Sequence, residues 1–265
     1  MKKTVILLLC LLNFSFARII ALEPSGVEIL YSLEAQDEIM AIAPLSNSQI
    51  WPHEKTSKLK TVGSYISPDI DKILELKPKL VLTNIFHENG LSDTLNSLGI
   101  KTLLLNANSV DEIYENINAL ATITEKKERA EVLIDELEQS FAKFNNKPFA
   151  DKKVAIVFAI SPISLLNENT LAGDILKRLG FKNVANFSTQ SNISISDEQM
   201  IKLNPDFIVI IDGMGVLAED FTQNQNFKEL NAVKNSKVIA INSPLLLRAT
   251  PRIKVAIDEI YKALK

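Results

Sequence analysis

The sequence predicts an α/β protein of two similar lobes, each built on a central parallel sheet, joined by a long backbone helix. Three observations lead there. A block of about a dozen residues occurs twice, 127 positions apart: Asp71-Lys72-Ile73-Leu74-Glu75-Leu76-Lys77-Pro78-Lys79-Leu80-Val81-Leu82 lies without a gap over Glu198-Gln199-Met200-Ile201-Lys202-Leu203-Asn204-Pro205-Asp206-Phe207-Ile208-Val209. Short apolar runs alternate with amphipathic stretches on both sides of a central segment. That central segment, 109 to 147, contains neither glycine nor proline.

The repeat reads as helix, stop, buried strand. Ile70, Ile73, Leu74 and Leu76 in one copy, and Met200, Ile201 and Leu203 in the other, give a short helix one inward face. Pro78 and Pro205 end it, because proline cannot continue helical hydrogen bonding and biases the preceding residue toward extended geometry. The continuous apolar runs that follow, Leu80 to Leu82 and Phe207 to Ile211, suit strands covered on both faces. Solenoid units repeat every 20 to 50 residues or so. A far longer period marks two lobes.

Taken in order, Met1 to Ala17 carries two lysines, an apolar stretch from Val5 to Leu12, and Ser15-Phe16-Ala17 before Arg18. This is the layout of a cleavable signal peptide over 1–17, and it predicts export to the periplasm. The stretch is shorter than the roughly 20 residues a stable membrane span needs. The only cysteine, Cys10, falls inside this leader and not after a small-residue motif at its end, so lipoprotein processing is not expected. A cysteine-free mature chain excludes disulfides, thiol catalysis and cysteine metal sites.

Arg18 to Leu22 is a first strand, followed by a helix marked by Val27, Ile29, Leu30 and Leu33. Ile39 to Ile42, Leu80 to Leu82 and Thr102 to Leu105 add three strands, completing an N-terminal lobe over 18–107. Asp111 and Glu112 favour a helix start, and Ile113, Ile117, Leu120, Val132, Leu133, Leu137, Phe141 and Phe144 keep a near-3.6 period. The connector, 108–148, is expected as one long helix, unbroken or interrupted near Thr122 to Glu125. A helical connector resists bending better than paired extended segments, so lobe closure is expected to be small. The C-terminal lobe, 149–265, opens with a strand at Val154 to Ile160 and a helix through Leu171, Ile175, Leu176 and Leu179 that stops at Gly180. Strands at Phe207 to Ile211 and Lys237 to Ile241 follow, then a last helix with Ile253, Ile257, Ile260 and Tyr261 on one face. Both lobes are thus Rossmann-like, with a ligand cleft expected between them.

The formal charge of −3 becomes more acidic once Lys2 and Lys3 leave with the leader, which argues against nucleic acid as a partner. The chain has no Gly-x-Ser-x-Gly elbow, no phosphate-cradling Gly-x-x-x-x-Gly-Lys loop and no His-Glu-x-x-His helix. Eight glycines leave few places for a backbone to wrap a dinucleotide. A secreted two-lobed hydrolase with an inter-lobe active site is the alternative reading, and it would have to be built around His53 or His87, the only histidines. Polar and aromatic residues just past strand ends are the better candidates, since open α/β sheets bind ligands there. These are Trp51-Pro52-His53, Gly63-Ser64-Tyr65, Asn84-Ile85-Phe86-His87 and Leu247-Arg248. His87 could ligate a metal or line a flat ligand, or be a solvated loop residue. Tyr65 could equally be a surface loop tyrosine, and Trp51-Pro52 a packed corner.

Arg18 to Ser25, Val62 to Pro78, Ile195 to Gln199 and Arg248 to Ile253 resemble landmarks of the class III periplasmic substrate-binding proteins of ABC importers. That family takes up cobalamin, haem, iron-siderophores and related metal chelates. The resemblance covers essentially the whole mature chain. It implies a monomeric binding protein, not an enzyme, with no intrinsic cofactor and a transition-metal chelate as bound ligand. Its partners would be that small-molecule chelate and the dimeric transmembrane permease of an ABC transporter. By the same resemblance Asp71 and Glu198 are the carboxylates, one per lobe, that dock into the permease. The first of these is usually glutamate, and Asp71 is one methylene shorter. Tyr65 matches an aromatic that packs on the corrin in cobalamin binders, while haem binders place a tyrosine one position earlier, where this chain has Ser64. Ligand contacts are therefore expected from Tyr65, Ser64, Trp51, Phe86, His87 and Arg248, with His87 or Tyr65 completing an open metal position. Only Arg248 among the mature chain's arginines is expected at the cleft, which disfavours a strongly anionic chelate.

Overall fold

The computed structural model describes residues 17–87, 90–146 and 148–264. Apart from Ala17, the expected signal peptide lies outside the described residues. The first lobe runs β1 (Ile19–Ala21), α1 (Pro24–Ser32), β2 (Ile39–Ile42), α2 (His53–Thr56), α3 (Ile70–Leu76), β3 (Leu80–Thr83), α4 (Leu91–Ser97) and β4 (Lys101–Leu104). Its strands pair in parallel in the order β2-β1-β3-β4. Strand side chains alternate between faces. Here both faces are apolar: Ile19, Ala21, Leu80 and Leu82 enter one core cluster, Ile20, Leu22 and Val81 another. The uninterrupted apolar runs follow from that double covering.

The connector, expected as one long helix unbroken or interrupted near Thr122 to Glu125, is interrupted there and turns back as a helical hairpin. α5 (Val110–Ile123) starts with Ser109 accepting a hydrogen bond from the Glu112 N–H at 3.3 Å. It ends where Glu125 adopts a left-handed backbone (φ 58) and the Lys126 N–H returns to the Ala121 carbonyl at 2.8 Å. α6 (Lys127–Ala142) then runs back. Arg178 shows the antiparallel course, pairing with Asp111 at the start of α5 (2.7 Å) and lying 5.9 Å over the Phe141 ring near the end of α6.

The second lobe continues β5 (Lys153–Ile160), β6 (Ile163–Leu166), α7 (Leu171–Arg178), β7 (Lys182–Asn183), β8 (Asn192–Ile195), α8 (Asp197–Leu203), β9 (Phe207–Asp212), α9 (Glu219–Thr222), α10 (Asn231–Lys234), β10 (Val238–Asn242), α11 (Ser243–Leu247) and α12 (Ile253–Leu264). Parallel pairing of β7, β5, β9 and β10 repeats the first lobe's β2, β1, β3 and β4. The sheet is nonetheless mixed, not purely parallel. β7 covers only Lys153 and Val154, so the rest of that edge of β5 is free to pair with antiparallel β6, which in turn pairs with antiparallel β8.

The repeat holds at the level of caps. Asp69 and Ser196 accept from the N–H groups of Lys72 (3.1 Å) and Gln199 (3.3 Å), starting α3 and α8. Lys77 (φ 49) and Asn204 (φ 42) then close both helices in the left-handed region before each proline. One large apolar cluster links the lobes: it runs from Ile19 and Leu82, through Ile113, Ile117 and Leu120 of α5 and Leu133 and Leu137 of α6, to Val154, Ile156, Leu176, Val209 and Ile257. The lobes therefore share a core instead of meeting at a solvated hinge. Replacing the fully buried Ile117 by alanine is expected to cost about 2–5 kcal/mol. Urea unfolding followed by far-UV circular dichroism and by the fluorescence of Trp51, the only tryptophan, should shift as one coincident transition.

Candidate functional site

All four parallel strands of the first lobe end at one edge, so the loops that follow them gather there. Glu23, Pro24 and Ser25 come after β1, Leu45 and Ser48 after β2, Asn84 and Ile85 after β3, and Leu105 to Ala107 after β4. Across from them the second lobe supplies α11 and its exit. Between these walls lies a cleft of about 290 Å³. Small-molecule pockets span roughly 300–1,000 Å³, so this one holds a small ligand whole or only the edge of a large one. Exposed apolar side chains lie on the loops beside it, with Ile66 80% and Phe86 72% accessible.

Tyr65 is presented on a tight turn. The Ser64 N–H donates to the Ser67 carbonyl (3.0 Å), the Ser67 N–H to the Ser64 hydroxyl (3.2 Å), and the Tyr65 N–H to the Pro44 carbonyl (3.0 Å). Gly63 enters this turn at φ 85, and a Cβ there would fall 2.5 Å from the Ser67 carbonyl oxygen. Ser64 therefore closes the turn, and its neighbour Tyr65 lines the cleft. The Tyr65 ring stands edge-on to Phe86 (6.0 Å between centroids) and His87 (6.4 Å). Its hydroxyl faces Glu23. Burial, and then the negative charge of Glu23, push the phenol pKa far above its usual value, so Tyr65 stays protonated. Burial likewise raises the Glu23 carboxyl, although the Ser25 N–H at 3.1 Å, Arg248 and Tyr65 all act against it.

Asn84 sets the course of the next loop. Its side-chain oxygen accepts the Phe86 N–H and its carbonyl the His87 N–H, both at 2.9 Å. This turn throws Phe86 outward and folds His87 inward, where only 4% of it is exposed. Among the described residues, neither imidazole nitrogen has a hydrogen-bond partner, and the same holds for the Asn84 Nδ2. Burial lowers the His87 pKa, and the nearby Tyr65 backbone, which lacks hydrogen-bond geometry, opposes this only in part. Among the described residues, no group of three or more His, Cys, Asp or Glu side chains is placed to hold a metal ion.

Arg248 lines the cleft, but three of its five N–H donors are engaged elsewhere. Only 8% exposed, it pairs through Nη1 with Glu28, a residue of α1 with no exposed surface. Nη1 also donates to the Gln49 carbonyl and Nη2 to the Ser48 hydroxyl, both at 2.9 Å. Arg252 Nη1 lies 3.4 Å from the second Glu28 oxygen, and the Trp51 N–H donates to the first at 3.1 Å. One buried carboxylate thus ties the first lobe to the segment after α11. Trp51 lines a neighbouring depression with His53 and Arg252, whose guanidinium lies 5.6 Å from the indole centroid. Asn84 belongs to a segment the sequence had already marked, whereas Glu23 and Glu28 were not expected as site residues. Glu28 did leave a signal: it is an acid set between Val27, Ile29 and Leu30 on a helix otherwise lacking charge.

Asp71 and Glu198 occupy equivalent exposed positions in the first turns of α3 and α8. Each helix runs back against the strand it feeds, so both first turns lie toward the carboxyl edge of their sheet. A hydrogen bond from the Ser196 hydroxyl leads the influences that hold the Glu198 carboxyl below its ordinary value.

Residues 19–245 match the family described as Periplasmic binding protein. The chain belongs to that family. It is 27% identical to the vitamin B12-binding protein of Pectobacterium atrosepticum, across 97% of this chain and 92% of that protein. It is also 27% identical to an uncharacterised ABC transporter substrate-binding lipoprotein of Bacillus subtilis, across 93% and 79%. Among solved structures, the periplasmic heme-binding protein of Vibrio cholerae superposes with a TM-score of 0.80 at 21% identity, covering 94% of this chain and 99% of that one. The periplasmic vitamin B12-binding protein of the same organism gives 0.76 at 24%, covering 94% and 96%. The α/β two-lobed fold is theirs.

Breaking a buried ion pair from one side costs about 3–5 kcal/mol. Glu28→Ala, which strands Arg248 and Arg252, is expected to lose that much in urea unfolding, and Glu28→Leu combined with Arg248→Met to lose less. Glu23→Gln keeps an acceptor for the Ser25 N–H and removes a charge that burial disfavours. Because the folded-state pKa of Glu23 is raised, the wild-type penalty is complete above that pKa and absent below the unfolded value. Thermal melts should show Glu23→Gln more stable at neutral to alkaline pH, the advantage fading on acidification through the carboxylate range.

Proposed function

We propose that this member of the periplasmic binding protein family captures a metal chelate in the cleft between its lobes and delivers it to an ABC transporter permease. The cleft itself carries the reading: a rigidly presented aromatic, Tyr65, exposed apolar side chains beside it, and walls from two lobes that share one core. A preformed, mostly apolar concavity with a few fixed polar groups suits capture of a small molecule. Relatives named for vitamin B12 and heme support a chelate as cargo. An iron-siderophore, a nickel or cobalt chelate, cobalamin and haem are the candidates. The chelate brings its own metal ligands, which suits a site where His87 is folded inward and Tyr65 is held as the neutral phenol. The family is one of transport binding proteins, so the hydrolase alternative has no support. The expected leader and the family together favour a place outside the cytoplasmic membrane, as a periplasmic protein.

In the same reading Asp71 and Glu198 contact the two halves of the permease. Their equivalence in the repeat supports this, because two pseudo-symmetric acids can address two like subunits at once. Protein purified from its native host should show its cargo by absorption and metal content. A Soret band identifies haem and a corrin spectrum cobalamin, while iron or nickel without either identifies a smaller chelate. If no such compound is carried and none binds on titration, the proposal fails. The double variant Asp71→Ala/Glu198→Ala is expected to keep wild-type ligand affinity by calorimetry and to abolish uptake by cells; normal uptake would remove the docking role.

A further inference from the structure

Two groups at the cleft would ordinarily receive an anion, and the chain's own carboxylates occupy both. The first is the amino end of α1, where partial positive charge collects; there the Ser25 N–H points to the Glu23 carboxylate at 3.1 Å. The second is Arg248, held by Glu28, Gln49 and Ser48. The other nearby cation, Arg252, leans on Glu28 and lines the neighbouring depression with Trp51. What the cleft presents is therefore the Glu23 carboxylate, flanked by Tyr65, Ser25 and the Asn84 amide, whose Nδ2 has no partner among the described residues. Burial works against the Glu23 charge more than Ser25, Arg248 and Tyr65 support it. A carboxylate or phosphate on the ligand would be desolvated against Glu23, and the guanidinium beside it, Arg248, already compensates the buried Glu28.

We propose that the cleft selects a chelate bearing a cationic, hydrogen-bond-donating group, which seats on the Glu23 carboxylate while Tyr65, Ile85 and Phe86 take its apolar body. This narrows the chelate-carrying reading above and rests on it. A positive group would satisfy the carboxylate in a partly dry setting where a charge-assisted hydrogen bond is roughly twice as strong as a neutral one. The neutral state of the Tyr65 hydroxyl leaves no second negative charge beside it.

The test is a charge series on fixed scaffolds, measured by titration calorimetry with the full mature chain. Three ferric trihydroxamates share one body and differ at a single chain end, which is an ammonium, an N-acetyl or an N-succinyl group. A cationic aquo-cobalt corrinoid and its neutral cyanide-capped form make a second pair. On whichever scaffold binds, the cationic form is expected to be at least about tenfold tighter than the neutral one, and the succinylated form the weakest. Added salt should narrow the gap. Glu23→Gln, which keeps an oxygen acceptor for the Ser25 N–H, is expected to level the series to within about twofold. Equal or tighter binding of the anionic form, or a cation preference that survives Glu23→Gln, overturns this inference and leaves chelate capture standing. Failure of every probe on both scaffolds overturns the inference together with the reading beneath it. The series on the unsubstituted chain carries the test even if the variant misfolds.

Discussion

A carboxylate with no solvent exposure, Glu28, sits on the first helix of the first lobe, and among the described residues its charge partners are two arginines from the far end of the chain. Removing a charge from water is costly unless a partner is held in good geometry. Arg248 and Arg252 must therefore arrive at this spot in the folded state, and with them comes the segment after α11. The same contact draws in Ser48, the Gln49 carbonyl and the Trp51 N–H. Helix α1, the loop after β2 and the wall from the second lobe are thereby fixed against one another. The cleft is the space this clasp leaves beside it.

The helical hairpin of α5 and α6 works with the clasp. Its buried faces belong to an apolar cluster continuous with both sheets. Interiors packed at crystal-like density deform little, so the lobes behave as parts of one body and the cleft is largely preformed. Binding to such a site does not first have to order its walls, which limits the entropic cost of capture.

Electrostatics then divides the cleft region into two unlike neighbourhoods. On the Trp51 side the arginines face inward and an indole covers one of them. On the Tyr65 side a carboxylate faces the cleft with its positive neighbours already engaged. Counting arginines near the site would suggest a preference for anions. Their hydrogen bonds weaken that inference, because Arg248 already gives three of its five N–H donors to a buried carboxylate and two further oxygens.

The sequence by itself determined the lobes, most strands and the paired helices of the repeat. Those features depend on local periodicity and on prolines that act within a few residues, and the caps at Asp69 and Ser196 and the left-handed closures at Lys77 and Asn204 match position for position. It also marked the segments that build the cleft, since loops past parallel strand ends converge at one edge in any such sheet. Only the tertiary structure decided which side chains those segments turn toward the ligand. Tyr65 faces in because Gly63 permits one particular turn, and His87 is buried because Asn84 folds the chain over it. Arg248 is engaged because Glu28, 220 positions earlier, requires a counter-charge. The antiparallel β6 and β8 and the reversal of direction after the expected interruption near Glu125 belong to the same class. Each depends on an edge left open or a helix turned back by packing between segments far apart in the chain, and no local pattern records those contacts.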